Sequence, residues 1–521
     1  MVRSSHTKTQ KKRKYKNTIC EDSMTFEECE LAILRHAVDE TENMQGQKKV
    51  NNQDVQKMLS IVEDFIKKKH LVCYGGTAVN NILPKYAQFY KRDIEIPDYD
   101  FFSANALDDA KELADIYFKA GYTDVEAKSG MHYGTFKVFV NFIPIADITY
   151  LHSDIYKSIS KDAIQVAGIK YAPPDYLRMA IYLELSRPAG DVSRWEKITK
   201  RLAILNQFYP MKLDKNCFAI DFSKNMNLNM PDEERLHLLM RDIFIDNGSV
   251  FFGGYSTHLY SKYMPENKRK LVNSIPDFDI ISEDPDKCAL IVKERLRREK
   301  VKHVKIVNHD AIGEIIPRHI EIKVGKHSMA YIYEPIACHS YNEIMVDHKQ
   351  VKVATIDTIL AFYLSFIYAN MPHYDKDRLM CIAMFLFDIE QQNRLEQRGI
   401  LKRFSIDCYG KQPTLEDIRS EKSEKFKELG DDRTSKEYQM WFLKYVPGEI
   451  VKQKGVKKFP QPVAKTRKNR PVPEPEPEPE NPLLALLRKR ITDTQYLLYF
   501  TNKCCKFIYR IIHGSKQYAF E

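Results

Sequence analysis

The sequence lacks the features that would place it in a membrane or outside a cell. No apolar run reaches the roughly 18 residues that a membrane span needs. The longest, Thr358 to Ala369, is short enough to read as a buried helix. The N-terminus is basic but has no apolar core of the kind a signal peptide carries. The ten cysteines form no CxxC pair and no Cys/His ladder, and only Cys504 and Cys505 are adjacent. That scatter argues against a structural zinc and for a reducing compartment. The expectation is a soluble, non-secreted protein.

What the chain does have is length, a mild positive excess and a repeat. Its 521 residues, 43% of them hydrophobic, can form two to four domains with ordinary cores. Lys and Arg number 81 against 71 Asp and Glu, a net charge of +10 that points weakly to a polyanionic partner. Residues 1–18 hold seven Lys and Arg and no acid. Such a block is disordered without a partner and serves equally as a nucleic-acid arm, a localisation signal or a solubilising tail. Residues 451–482 read as a linker: a basic stretch, then PVPEPEPEPENP, in which each proline removes a backbone donor and the glutamates repel one another. An extended, polyproline-like spacer is expected there, followed by a helical period over 483–500.

Between the tails the chain repeats itself. IPDYDFFS at 96–103 returns as IPDFDIIS at 275–282. Before each copy an apolar helical pattern leads into a short apolar strand and a Gly-Gly turn, Gly75–Gly76 in the first and Gly253–Gly254 in the second. Further on, 172–196 and 354–378 run parallel without gaps, each opening on Ala with Asp at the fourth position (Asp175, Asp357). Three landmarks in one order at a domain-sized period indicate a duplicated domain.

In a strand, period two puts Asp98 and Asp100 on one face and Tyr99 on the other. Two neighbouring carboxylates repel unless a cation lies between them, and Mg²⁺ commonly takes one or two carboxylates together with substrate phosphates. A lone D-x-D is more often a turn whose aspartates bond the backbone. Here it follows a glycine pair that ends a strand and opens a helix, where free N–H groups can meet a phosphate and Thr77 can add a hydroxyl. VFVNFIPIADITYL, 138–151, reads as an apolar strand with one acid, Asp147, in its middle. An acid among such neighbours is costly unless it is paired, metal-bound or at a wet edge.

Glycine pair, D-x-D and solitary strand aspartate occur in the order of the nucleotidyltransferase fold of DNA polymerase beta and the poly(A) polymerases. GGTA…PDYDFF most resembles the poly(A) polymerase catalytic subunit of poxviruses and other large DNA viruses, over roughly residues 55–390 with the second copy counted. The resemblance implies an α+β protein of two tandem nucleotidyltransferase domains with mixed β-sheets and helical additions. The limits read from the sequence are a disordered basic tail over 1–25, a catalytic domain over 26–215, a second and inactive domain over 216–450, the linker at 451–482 and a helical element at 483–521. It further implies that Asp98, Asp100 and Asp147 ligate two ions, Mg²⁺ or Mn²⁺, and that Gly75, Gly76 and Thr77 cradle the triphosphate of ATP. In that fold the helical segment 173–202 supplies cations to the β and γ phosphates, with Arg187, Arg194 and Lys197 as candidates. Trp195 is expected to pack in a core or interface. Implied partners are ATP, the 3′ end of mRNA, and a second copy or other processivity partner. The implied setting is the cytoplasm of an infected host cell, with packaging in the virion alongside.

Two features depart from the family pattern. Many members have Ser where this chain has Gly76, and 21 residues separate Gly76 from Asp98. That insertion contains KYAQFYKR, 85–92, which reads either as a primer-holding cluster of aromatic and basic residues or as an ordinary surface helix. In the second copy Gly253, Gly254, Asp277 and Asp279 recur, but aligning Ala146 with Ala330 sets Tyr331 where Asp147 stands. A decayed site is expected, with Glu321 on a nearby strand as the one acid that could complete it. Three other readings stay open: an idle RNA-binding scaffold, a CCA-adding or oligoadenylate-synthesising enzyme, and a small-molecule nucleotidyltransferase.

Overall fold

The structure is a computed structural model. It describes residues 19–448 except 22, 92, 212–216, 218–229, 270–275 and 394. The basic tail over 1–18, the linker, the C-terminal element and Arg92 therefore lie outside the described residues.

A helix leads into the sheet of each half. The helix Gln53–Lys69 buries Val55, Met58, Leu59, Val62, Phe65 and Ile66, a 3–4 spacing that makes one apolar stripe. Asn52 caps it, accepting from the N–H groups of Asp54 and Val55. It leads into β1 (Val72–Cys73), then β2 (Tyr99–Ser103), β3 (Val125–Ser129), β4 (Thr135–Val140), β5 (Ile143–Tyr150), β6 (Ile164–Val166) and β7 (Ile169–Tyr171). In the second half the helix Met230–Asp246 leads into β8 (Val250–Phe251), followed by β9 (Phe278–Ile281), β10 (Val304–His309), β11 (His319–Val324), β12 (His327–Tyr333), β13 (His339–Val346) and β14 (Lys349–Ala354). Two short strands come last, β15 (Cys408–Tyr409) and β16 (Lys444–Tyr445).

The first sheet runs β16–β3–β4–β5–β2–β1–β7–β6 and the second β10–β11–β12–β9–β8–β14–β13–β15. Without β16 and β15, the two orders are the same seven positions. The parallel pairs also agree: β2 with β5 and β1 with β7, then β9 with β12 and β8 with β14. The duplication read from three sequence landmarks is thus a duplication of sheet topology.

One expected strand is really a hairpin. The run 138–151 breaks at Asn141 and Phe142, both at positive φ (48° and 63°), which is the two-residue turn whose twist matches paired strands. Its apolar continuity hides the break, which Asn141 and the nearby Pro144 mark. Asp147 lies within the second arm, β5.

The helices Pro174–Leu185 and Ile356–Ala369 start two residues after Ala172 and Ala354, as the parallel runs require. Every residue of Ile356–Ala369 is buried, so its unbroken apolar run serves a core, and no described helix is long and apolar enough to cross a membrane. Asp175 pairs with the fully buried Arg178, and Asp357 with Arg403 at 2.7 Å. Tyr176 meets Tyr368 edge-on at 5.3 Å, and the Tyr182 hydroxyl donates to Glu390 across the halves. Trp195 also bridges them, its ring against Phe404 and its N–H on the Glu184 carbonyl. After β15 the chain returns to the first half. There β16 pairs with β3, and the Tyr445 hydroxyl donates to Asp115 at 2.7 Å.

Six of the described cysteines pair. Cys20–Cys29, Cys217–Cys381 and Cys338–Cys408 are disulfides, while Cys73 and Cys288 are free and buried. Two of the pairs span 164 and 70 residues, a distance at which spacing carries no signal.

Candidate active site

The site is built where β1 ends. Leu71, Val72 and Cys73 are buried, and Tyr74 is fixed by its ring stacked on Phe102 at 3.8 Å and its hydroxyl on Thr149. Gly75 then takes φ +71°, a conformation a side chain resists. A β-carbon there would also stand 3.0 Å from the Asp100 carboxylate. The helix Gly75–Ile82 opens at this turn with no side chain capping it, so its first N–H groups can meet a phosphate. The Thr77 hydroxyl donates to the Asp98 carbonyl at 2.8 Å, which ties the helix to the aspartate strand.

The carboxylates come from two adjacent parallel strands. Asp98 precedes β2, Asp100 lies within it, and Asp100 sits in register with Asp147 on β5. Tyr99 points the other way, buried, with its hydroxyl on Glu63. Burial, then the negative charges of Asp98 and Asp147, push the Asp100 carboxyl up to about 7, with Lys137 and Arg194 opposing. Burial and Asp147 also raise Asp98. Lys137 stands opposite Asp147 across β4 and β5 and makes an ion pair with it. Among the described residues no three potential ligands converge into a formed metal cluster; Asp147 is turned to the lysine instead. The donor set nevertheless fits a hard divalent cation, being carboxylate oxygens whose mutual repulsion such an ion relieves.

The basic candidates divide. Arg194, before the helix Trp195–Phe208, pairs with Glu184 at 3.2 Å and is close enough to Asp100 to lower its pKa. Lys197 is exposed in the first turn of that helix. Arg187 turns elsewhere. Its charged neighbours are Glu184 and Glu314, it approaches His339 of the second half, and burial lowers its guanidinium to about 10. One cation was missed. Arg201 donates to the Tyr90 hydroxyl at 2.5 Å. A β-carbon on Gly76 would meet that hydroxyl at 2.5 Å and the guanidinium at 2.8 Å. Both side-chain ends therefore sit directly over the glycine pair. Glycine in place of serine leaves room for them, and the spacing 194, 197, 201 along one helix face was the available signal.

The insertion is neither a surface helix nor a free aromatic patch. After a single turn at Lys85–Ala87, the N–H groups of Phe89 and Tyr90 both donate to the Asn80 side chain. That fixes the two rings against Arg201, whose guanidinium lies 5.4 and 5.7 Å from their centroids. Tyr86 remains 84% exposed. A cavity of about 1140 Å³ lined by Thr77, Asn81, Lys85, Tyr90 and Asp98 opens beside the site.

Residues 60–191 match the family model of the poly(A) polymerase catalytic subunit. The match spans the glycine turn, Asp98, Asp100 and Asp147. The chain is 30% identical over 190 residues to a putative poly(A) polymerase catalytic subunit of African swine fever virus (isolate Pig/Kenya/KEN-50/1950), covering 34% of this chain and 40% of that protein. It is 29% identical over 387 residues to the protein of that name from Acanthamoeba polyphaga mimivirus, covering 66% of this chain and 62% of the relative. The chain thus spans well under two thirds of the swine fever virus relatives it matches. In structure it resembles the Megavirus polyadenylate synthase, with a TM-score of 0.68 at 20% identity over 84% of this chain and 88% of that one. That likeness, in mixed sheets and helices, is one of fold.

The second half departs from the first where the chemistry would be. Tyr331 on β12 is in register with Asp279 on β9, as Asp147 is with Asp100. Opposite Tyr331 on β11 stands Glu321, in the place Lys137 holds in the first half. Burial raises the Glu321 carboxyl, but Ser328, His309 and Lys323 more than offset this and hold it down at about 2. Glu321 is thus committed to its neighbours, one strand away from the position an active acid occupies.

Proposed function

We propose that the chain is a template-independent poly(A) polymerase that transfers AMP from ATP to the 3′ end of mRNA. The observation that carries this reading is the register of β2 with β5, which sets Asp100 beside Asp147 at the mouth of an uncapped glycine turn. The RNA 3′-oxygen would bond to the α-phosphorus while the α–β anhydride breaks and pyrophosphate leaves. A bound pair of Mg²⁺ or Mn²⁺ ions would supply charge neutralisation for the attacking and leaving oxygens. Asp98, Asp100 and Asp147 would hold them, Asp147 giving up its bond to Lys137. Gly75, Gly76 and the first turn of their helix would receive the triphosphate, with Arg201, Arg194 and Lys197 on its β and γ side. Catalysis on this reading is positioning and electrostatics, without a covalent enzyme intermediate. Two tandem domains, a catalytic first and an inactive second, are part of the proposal, as are a second copy or partner for processive addition and a place in the infected cell's cytoplasm.

Extension of an RNA primer with each nucleotide separately tests it. Wild type should add A in preference to the other three with Mg²⁺ or Mn²⁺. Asp98→Ala should lower incorporation by about a thousandfold or more while retaining RNA affinity. No incorporation by wild type with any nucleotide would favour an RNA-binding scaffold, and preference for a CCA sequence would reassign the product.

A further inference from the structure

A cavity of about 360 Å³ lies at the second half's own D-x-D strand. Asp277, Asp279 and Arg378 reach it, together with the rings of Tyr331, His373 and Tyr374. Its chemistry differs from that of the first site on two counts.

The phosphate position is closed. A β-carbon on Gly253 would meet the Asp279 carboxylate at 1.9 Å, and one on Gly254 would meet that of Asp277 at 2.4 Å. The carboxylates therefore lie on the glycine turn itself and present negative charge where a triphosphate would need donors. Arg378 approaches Asp277 at 3.7 Å and offsets part of that charge.

Beside them the lining includes aromatic rings that are already stacked. Tyr331 and His373 lie face to face at 5.1 Å with planes 15° apart, and Tyr374 lies on Phe366 at 4.4 Å and 8°. A flat heterocycle extends such stacks, and carboxylates at their end accept from its N–H donors. At the rim, Lys326 is exposed in the turn between β11 and β12, where a cation can meet a phosphate that stays outside.

We propose that this cavity binds one amine-bearing base of single-stranded RNA, its ring against His373 and Tyr374, its exocyclic amine toward Asp277 and Asp279, and its backbone at Lys326. The decayed transferase site is then a base pocket that helps hold the RNA. The proposal extends the reading of the chain as an RNA-handling enzyme but needs no nucleotide transfer.

Fluorescence anisotropy of labelled 15-mer oligo(A), oligo(C) and oligo(U), with full-length chain in EDTA and without ATP, tests it. Wild type should bind oligo(A) and oligo(C) more tightly than oligo(U). Tyr374→Ala should weaken oligo(A) binding about tenfold or more, and Tyr374→Phe should restore it. His373→Ala, whose ring is only partly buried, provides the same reading should Tyr374→Ala fail to fold. Equal affinity for the three oligomers, or wild-type affinity for oligo(A) in both alanine variants, would overturn the proposal. Failure of wild type to incorporate nucleotides would sink the polymerase reading and leave these outcomes intact.

Discussion

The two halves share seven strand positions, a helix–strand–Gly-Gly entry and nearly the same octapeptide, yet the strands beside their aspartates carry different charges. In the first, Asp147 faces Asp100 with Lys137 behind it; in the second, Tyr331 faces Asp279 with Glu321 behind it. In the first, Gly75 is left-handed and the Asp100 carboxylate stands off the turn at 3.0 Å from a β-carbon position. In the second, Gly253 has φ −91° and Asp279 lies on the turn at 1.9 Å. The parts kept in common face inward: Phe101 and Ile280, one residue after the second aspartate of each copy, are both fully buried. Packing preserves the octapeptide's apolar half whatever becomes of its carboxylates. A repeated D-x-D is therefore evidence of a repeated fold, and only the neighbouring strands tell whether it is also a repeated site.

The largest effect that would sharpen this contrast concerns Arg201, which lies over the first glycine turn with Tyr90, whereas near the second turn Arg378 faces Asp277. Arg201→Ala should lower kcat/KM for ATP by about 10- to 100-fold, the worth of one charge-assisted phosphate contact, with Arg201→Lys partly restoring it. Steady-state kinetics at saturating RNA would show this, and an unchanged kcat/KM would remove Arg201 from the cradle.

A smaller effect separates the halves by the sign of their pH dependence. The Asp100 carboxyl is raised to about 7, so in metal-free protein its contribution to stability is complete below about 4 and is lost as pH rises through 7. Asp100→Asn should therefore raise Tm at pH 8, by the equivalent of roughly 2 kcal/mol, and the gain should vanish towards pH 4. Glu321 is lowered to about 2, so its contribution is present above about 4.5 and is lost as pH falls towards 2. Glu321→Gln should lower Tm at neutral pH, by roughly 2 kcal/mol, with the deficit narrowing below pH 4.5. Thermal melts of both variants across pH give the two slopes, and slopes of one sign would break the comparison.

Much of this was legible in the residues. Period two placed Asp98 and Asp100 together and Tyr99 opposite, and the alignment of Ala146 with Ala330 gave the register that sets Tyr331 in the third acid's place. What stayed hidden depends on contacts between distant segments. The turn at Asn141–Phe142 interrupts an apolar run that contains no glycine. Arg187 is drawn away by Glu184 and Glu314, the latter far along the chain. Arg201 reaches the glycine turn only because Asn80 fixes Tyr90 beside it. The pairing of Cys217 with Cys381 and of Cys338 with Cys408 likewise depends on segments that only the fold brings together.

On the proposed function, the first half alone keeps a metal-binding carboxylate set. Electron paramagnetic resonance of Mn²⁺ bound to the chain with a non-hydrolysable ATP analogue measures it directly. Asp98→Ala should lose the bound ion, and Asp277→Ala should keep it at wild-type stoichiometry. Loss from Asp277→Ala, or retention in Asp98→Ala, would contradict it.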